Sequence, residues 1–187
     1  MKTIENPEKK IEITFPTEND MRGVNEVFYK TWLATYPNEK LGITKDDIEY
    51  RFRDYFTDER LASGWEKIKN EKNGKLVLAK EGEKVIGLVR ATFHPDKNQL
   101  QAIYVLPEYQ RMGIGKILWD EAQKLFDPTK DTVVQVATYN TQAIEFYKQL
   151  GFNDNGKRLD DEKLRMKSGA IIPQLEMEIK APNESKG

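Results

Sequence analysis

The stretch QLQAIYVLPEYQRMGIGKILWDEAQKLF, residues 99–126, changes character at its middle. Its first third is an apolar strand-like run stopped by Pro107, and from about Gly113 to Phe126 the spacing predicts a helix. The junction between them carries two glycines and two cations, Gly113, Gly115, Arg111 and Lys116. The first turn of a helix has backbone N–H groups without intrahelical partners, and the macrodipole adds partial positive charge there. Glycines let that main chain approach an anion without Cβ interference, while Gln110, Arg111 and Lys116 supply further donors and charge. A phosphate or pyrophosphate suits such a junction. Two glycines between a strand and a helix can also be plain turn punctuation.

Three phosphate-binding patterns compete for these residues. A P-loop needs G-x-x-x-x-G-K-[ST], and here Gln110 stands at the first glycine and Ile117 at the Ser/Thr position. A dinucleotide fingerprint needs a third Gly or an Ala where the chain has Leu118. The pattern Q/R-x-x-G-x-G/A between strand and helix is met by Gln110, Gly113 and Gly115. With YNTQAIEFYKQLGF at residues 139–152, which pairs an Asn with an Ala, Phe-Tyr and Gly-Phe, the chain resembles the GNAT superfamily of N-acetyltransferases. The two motifs occur in that family's order and extend the likeness over roughly residues 75–179.

The rest of the chain supplies a frame for that junction. KIEITFP (10–16) alternates like a half-buried strand, and TENDMRGVNEVFYKTWLATYP (17–37) follows as a helix with Thr17 as N-cap. ITKDDIEYRFRDYF (43–56) reads as a second helix capped by Thr44, and a third runs from Asp58 towards Lys69. KLVLAK, EGEK and VIGLVRATF (75–93) predict a hairpin, HPDKN a turn, and QLQAIYVLP a third strand. TVVQVAT (132–138) is a strand, TQAIEFYKQL (141–150) a helix ending at Gly151, NDNGKRLDDEKLRMKSG (153–169) a charged loop, and AIIPQLEMEI (170–179) a closing strand. Adjacent strands mixed with strand-helix-strand passages predict an α/β chain with a mixed sheet and helices on both faces. The resemblance implies a mostly antiparallel sheet of about six to seven strands, splayed at a cofactor cleft. A single domain over residues 1–187 is expected, with a flexible polar leader (about 1–9) and tail (about 181–187).

Composition narrows the chemistry. The chain has 30 Lys plus Arg against 31 Asp plus Glu, a formal charge of -1, so no global field draws it to nucleic acid or anionic lipid. It has no cysteine, which excludes disulfides, thiolate metal sites and cysteine nucleophiles. One histidine, His94, makes a histidine metal site or a serine triad hard to build, and no metal is expected. MKTIENPEKKIEI lacks the apolar run of a signal peptide, so a cytoplasmic location is expected, without membrane or nucleic-acid partners and with a homodimer allowed.

The resemblance implies acetyl-CoA as co-substrate, an amine as acceptor, and direct attack of the amine on the thioester. It implies that main-chain amides from Arg111 through Met112, Gly113, Ile114 and Gly115 to Lys116, beside Gln110, hold the pyrophosphate. The pantetheine would lie along Ile103, Tyr104 and Val105, with the Ile103 N–H donating to the thioester carbonyl. Asn140, Ala143 and Tyr147 fall at i, i+3 and i+7, so one helical face presents them to the cofactor, with Phe146 beside them. The resemblance makes Tyr147 the acid that protonates the departing thiolate; spacing alone favours its belonging to the apolar stripe of Ala143, Phe146 and Leu150.

The base is open. Relatives often carry a carboxylate on the Ile103 strand, where this chain has Gln101, whose amide cannot take a proton; a water chain, Tyr104, Glu26 and His94 remain. Acceptor recognition would fall to an aromatic wall from Tyr29, Trp32, Tyr36, Tyr50, Phe52 and Tyr55 with acids such as Glu26, Asp47 and Glu49, or those residues are ordinary helix packing. Two functions fit: an N-acetyltransferase acting on a small amine, polyamine or protein amine, and a non-catalytic acyl-CoA sensor that keeps the cleft.

Overall fold

A computed structural model describes residues 2–6 and 9–182. Strands β1 (Lys2–Asn6) and β2 (Lys9–Thr14) precede helices α1 (Met21–Thr35), α2 (Lys45–Phe52) and α3 (Asp58–Lys69). Strands β3 (Gly74–Glu81), β4 (Lys84–Phe93) and β5 (Asn98–Val105) then lead to helix α4 (Ile114–Gln123). Strand β6 (Thr132–Ala137), helix α5 (Thr141–Gln149), and strands β7 (Asn153–Leu159) and β8 (Gln174–Ile179) complete the order.

The predicted caps explain where the early helices start. Thr44 accepts from the Asp47 N–H at 3.1 Å while the Asp47 carboxylate takes the Thr44 N–H at 2.8 Å. The Asp20 carboxylate likewise takes the Thr17 N–H at 2.8 Å, but the Asp20 N–H goes to the Thr17 carbonyl at 3.1 Å, and the segment is a short 3-10 turn over Glu18–Asp20 with α1 proper beginning at Met21.

The sheet runs β1-β2-β3-β4-β5-β6-β8-β7, antiparallel except for β5 against β6. That is the expected mixed, mostly antiparallel sheet, with eight strands where about six to seven were expected. One added strand is β1, which draws Lys2–Asn6 of the expected leader onto the edge beside β2. The other is β7, which occupies the start of the segment expected to be a charged loop. Its residues are mostly exposed and show no apolar alternation; pairing to β8 and the Lys157–Glu176 contact at 2.9 Å hold it at the sheet edge. The closing strand begins at Gln174 rather than Ala170, since Pro173 offers no N–H to a ladder. Residues 183–187 of the expected tail lie outside the described residues.

Strand β4 is buried continuously from Val85 to Val89, on both alternating faces. Helices α1 and α4 both pack on it, so the sheet is covered on both sides and the main core forms there. A second, smaller core joins Ile43, Ile48 and Phe52 to Ala137 at the end of β6 and to Met166 and Ile172 between β7 and β8. Its frame is polar: the buried Asp47 carboxylate accepts the Ser168 N–H at 2.7 Å, and Arg51 donates to the Lys163 carbonyl at 2.9 Å. No helix among the described residues is long and apolar enough to cross a membrane.

Candidate active site

Strands β5 and β6 pair only from Asn98–Thr132 to Leu100–Val134. Beyond that point the ladder stops, and on its other side β5 slips in register against β4 between Ala102 and Leu100, with Gln101 as the extra residue. A bulge bends its strand and increases local twist. Residues 101–105 therefore diverge from β6 and leave one edge of β5 unpaired along a cleft of about 810 Å³. That volume lies within the range of small-molecule sites.

The β5–α4 turn closes one end of the cleft. Arg111 has a positive φ of 63°, uncommon for a residue with a Cβ, and Gly113 has a φ of 80°. Such left-handed residues in a turn direct successive N–H groups to one side, the arrangement of an anion-binding nest. A Cβ built on Gly113 would meet no protein atom within 4 Å, so packing within the chain does not explain the glycine; its backbone conformation does. At Gly115 a Cβ would come 3.2 Å from the Phe146 ring, so here the close approach of α4 to α5 leaves a side chain little room. The Gln110 side chain donates to the Val105 carbonyl at 3.1 Å and accepts from Gln142 at 3.4 Å, tying the turn to both walls. Lys116 is paired with Asp120 at 2.5 Å.

All but one of the cofactor-site residues expected from the sequence converge on this cleft. Ile103, Tyr104 and Val105 line it from β5, Gln110, Arg111, Gly113, Ile114, Gly115 and Lys116 from the turn and α4, and Asn140, Ala143, Phe146 and Tyr147 from α5. Met112 does not line it; its side chain stands at the tip of the turn, 41% exposed. Asn140 caps α5 by accepting the Ala143 N–H at 3.1 Å, which fixes where the helix begins and hence where Tyr147 points.

Tyr147 is buried, its ring packs on Phe146 and Phe152 as the apolar stripe predicts, and it also lines the cleft. Burial, with Tyr104 nearby, pushes its pKa well above that of a free phenol. A main-chain interaction from Ile103 opposes that rise, and only an N–H donor does so by stabilising the phenolate.

Gln101 lines the cleft too. Of the other groups considered for the base, Tyr104 lines the cleft, whereas Glu26 is outside it, paired with Lys30 on α1, and His94 is outside it, bonded to Gln99 at 3.0 Å. The aromatic wall is mostly helix packing: Tyr29, Trp32 and Tyr55 surround Phe52. Asp47 is fully engaged by Thr44 and Ser168, Glu49 is exposed, and Tyr50 lies under Arg53 and Lys167 on the surface. Tyr36 alone of that set lines the cleft. Thr31, Ala34 and Thr35 of α1 and Gln135 of β6 line it too, and no sequence signal separated them from ordinary helix and strand positions.

The acetyltransferase (GNAT) family model matches residues 29–152. A spermidine N(1)-acetyltransferase of Thermoplasma acidophilum is 28% identical over 149 residues, covering 76% of this chain and 88% of its own length. A probable N-acetyltransferase of Mycobacterium tuberculosis is 31% identical over 101 residues, 52% of this chain, which spans 56% of that relative. Among solved structures, the PaiA N-acetyltransferase of Thermoplasma acidophilum in complex with coenzyme A superposes with a TM-score of 0.71 at 23% identity, over 91% of this chain and 98% of that one. The ribosomal-protein-S18-alanine N-acetyltransferase of Escherichia coli gives 0.60 at 17% identity, over 91% and 94% of the two chains.

Proposed function

The chain belongs to the acetyltransferase (GNAT) family, and from that premise we propose that residues 1–187 act as one domain transferring the acetyl group of acetyl-CoA to a primary amine. A small amine or polyamine is the preferred acceptor; the likeness to a spermidine acetyltransferase supports that preference. The observation that carries the reading is the junction of the unpaired β5 edge, the left-handed turn at Arg111–Gly113 and Tyr147 in one cleft.

In this reading the turn amides and Arg111 hold the pyrophosphate, and the free edge of β5 pairs with the amide-bearing arm as it would with an added strand. The Val105 carbonyl already accepts from Gln110, so pairing falls to the residues before it. The Ile103 N–H donates to the thioester oxygen and stabilises the charge that develops there. The amine attacks the carbonyl carbon, the C–S bond breaks, and Tyr147 protonates the sulfur. Its raised pKa keeps it protonated at neutral pH, as an acid must be. Holding both substrates in attack geometry supplies most of the remaining acceleration.

Gln101 favours a second reading, a non-catalytic acyl-CoA sensor. Titration calorimetry with CoA and acetyl-CoA, followed by thiol release on a panel of polyamines, amino sugars and peptides, separates the two. Binding with turnover is expected; binding without turnover on any acceptor selects the sensor, and no binding ends both. Tyr147→Phe is expected to lower kcat by about 10²-fold or more with CoA affinity retained.

A further inference from the structure

Tyr36, at the C-terminal end of α1, and Tyr104, on β5, both line the cleft, and their hydroxyls lie 3.2 Å apart. We propose that this hydroxyl pair receives the acceptor nitrogen as the neutral amine, already deprotonated by solvent, and returns its surplus proton towards Tyr147. The proposal rests on the acetyltransferase reading and assigns the amine side of that site.

Two hydroxyls offer two donors and four acceptor positions, and their mutual bond uses one of each. The pair is left rich in acceptors, which suits the N–H of an amine whose lone pair points elsewhere. The pair is poorly suited to an ammonium. Burial penalises charge there, and the charged group that faces the pair is a cation: Arg51 of α2 lies over Trp32, 4.8 Å from the ring centroid, and its charge acts on Tyr104. The remaining neighbours are uncharged. Phe28 and Trp32 of α1 pack edge-on against Tyr104 and Tyr36, Tyr139 donates to the Tyr36 carbonyl at 2.9 Å, and Tyr147 completes the set from α5. Glu145 is the one carboxylate among the described cleft-lining residues, and it is paired with Lys148 at 2.7 Å.

Burial raises the pKa of both tyrosines, so they act as protonated hydroxyls rather than as phenolate bases. The proton balance then closes without an enzyme base. The neutral amine forms the N–C bond, the C–S bond breaks, and Tyr147 gives its proton to sulfur. The attacking nitrogen, now carrying one proton too many, releases it through Tyr104 and Tyr36 to restore Tyr147. One amine and one thioester become one amide and one thiol.

The test compares propylamine with 3,3,3-trifluoropropylamine, whose ammonium is more acidic, at saturating acetyl-CoA between about pH 6 and 10. On the wild-type protein, log kcat/KM for the amine is expected to rise with unit slope, to level at its own pKa for the fluorinated amine and to go on rising to the top of the range for propylamine, whose ammonium titrates above about pH 10, so the limb moves with the amine. A limb fixed at one pH for both amines would indicate an enzyme base and overturn the proposal, as would failure to accelerate either amine. Tyr104→Phe is expected to lower kcat/KM for the amine about tenfold, Tyr36→Phe by less, with KM for acetyl-CoA unchanged. An unchanged kcat/KM in both variants overturns it too. Loss of CoA binding in the wild type would instead sink the acetyltransferase reading beneath it.

Discussion

Replacing Gly113 by Ala separates the anion-binding role proposed for the β5–α4 turn from the stability of the fold. With φ at 80° and no atom within 4 Å of the added Cβ, the substitution meets no steric conflict inside the protein. Its cost is conformational, about 1–2 kcal/mol for a Cβ in the left-handed region, offset by about 0.5–1 kcal/mol from the stiffer unfolded chain. A net loss of about 1 kcal/mol lowers the Tm of a chain this size by about 2–4 °C. Gly82, in the β3–β4 turn with φ at 59° and the same open surroundings, is the matched control and is expected to show the same loss. The two diverge when coenzyme is added. At a hundredfold excess over Kd, CoA stabilises the native protein by about 2.7 kcal/mol, a rise of about 5–11 °C. If the methyl group added at this position displaces the pyrophosphate enough to weaken binding tenfold, that stabilisation falls to about 1.4 kcal/mol and the rise roughly halves. Thermal melts with and without CoA on the wild type and both variants read this directly. Gly113→Ala retaining the full coenzyme-induced rise would refute the assignment of the turn.

Other positions test other links. Asp47→Asn should cost about 2–3 kcal/mol at pH 7, because the amide cannot accept from Thr44 and Ser168 as the carboxylate does. Burial raises the Asp47 pKa, but the hydrogen bonds from Thr44 and Ser168 together outweigh it and hold the group below the usual carboxylate range. Its contribution is therefore complete above about pH 4 and lost as pH falls through the folded-state value, so urea melts should show the gap between wild type and variant narrowing towards about pH 2. Asn140→Ala removes the α5 cap and should cost about 1 kcal/mol, with kcat falling as Tyr147 loses its fixed position; an unchanged melt would contradict the cap. Gly87→Ala would put a Cβ 3.0 Å from the Tyr104 carbonyl oxygen and 3.3 Å from Leu118, and is expected to cost about 1–3 kcal/mol by forcing β4 from β5, measurable by chemical denaturation.

The sequence by itself determined the features that depend on a few neighbouring residues. Thr44, Thr57 and Asn140 start their helices because a side-chain oxygen and an orphan N–H lie within three residues of each other. The strand–glycine–helix junction is equally local, and the hairpin of β3 and β4 follows from two apolar runs flanking Gly82. Strand β7 escaped notice because pairing and one buried carboxylate, Glu176, hold it in place, without any apolar alternation of its own.

Only the tertiary structure decided how distant segments meet. No local pattern marks Leu100–Val134 as the last rung of the β5–β6 ladder; the bulge at Gln101 and the twist of the whole sheet set it. Asp47 and Glu26 look alike as acids on early helices, yet one is consumed by Ser168, 121 residues away, and the other stands at the surface. Tyr36 and Tyr104, 68 residues apart, face each other because α1 crosses the sheet over β5. Periodicity tells a side chain which face it occupies, whereas its partner is set by the packing of whole elements, and in this protein the pairing of Tyr36 with Tyr104 in the cleft depends on that packing.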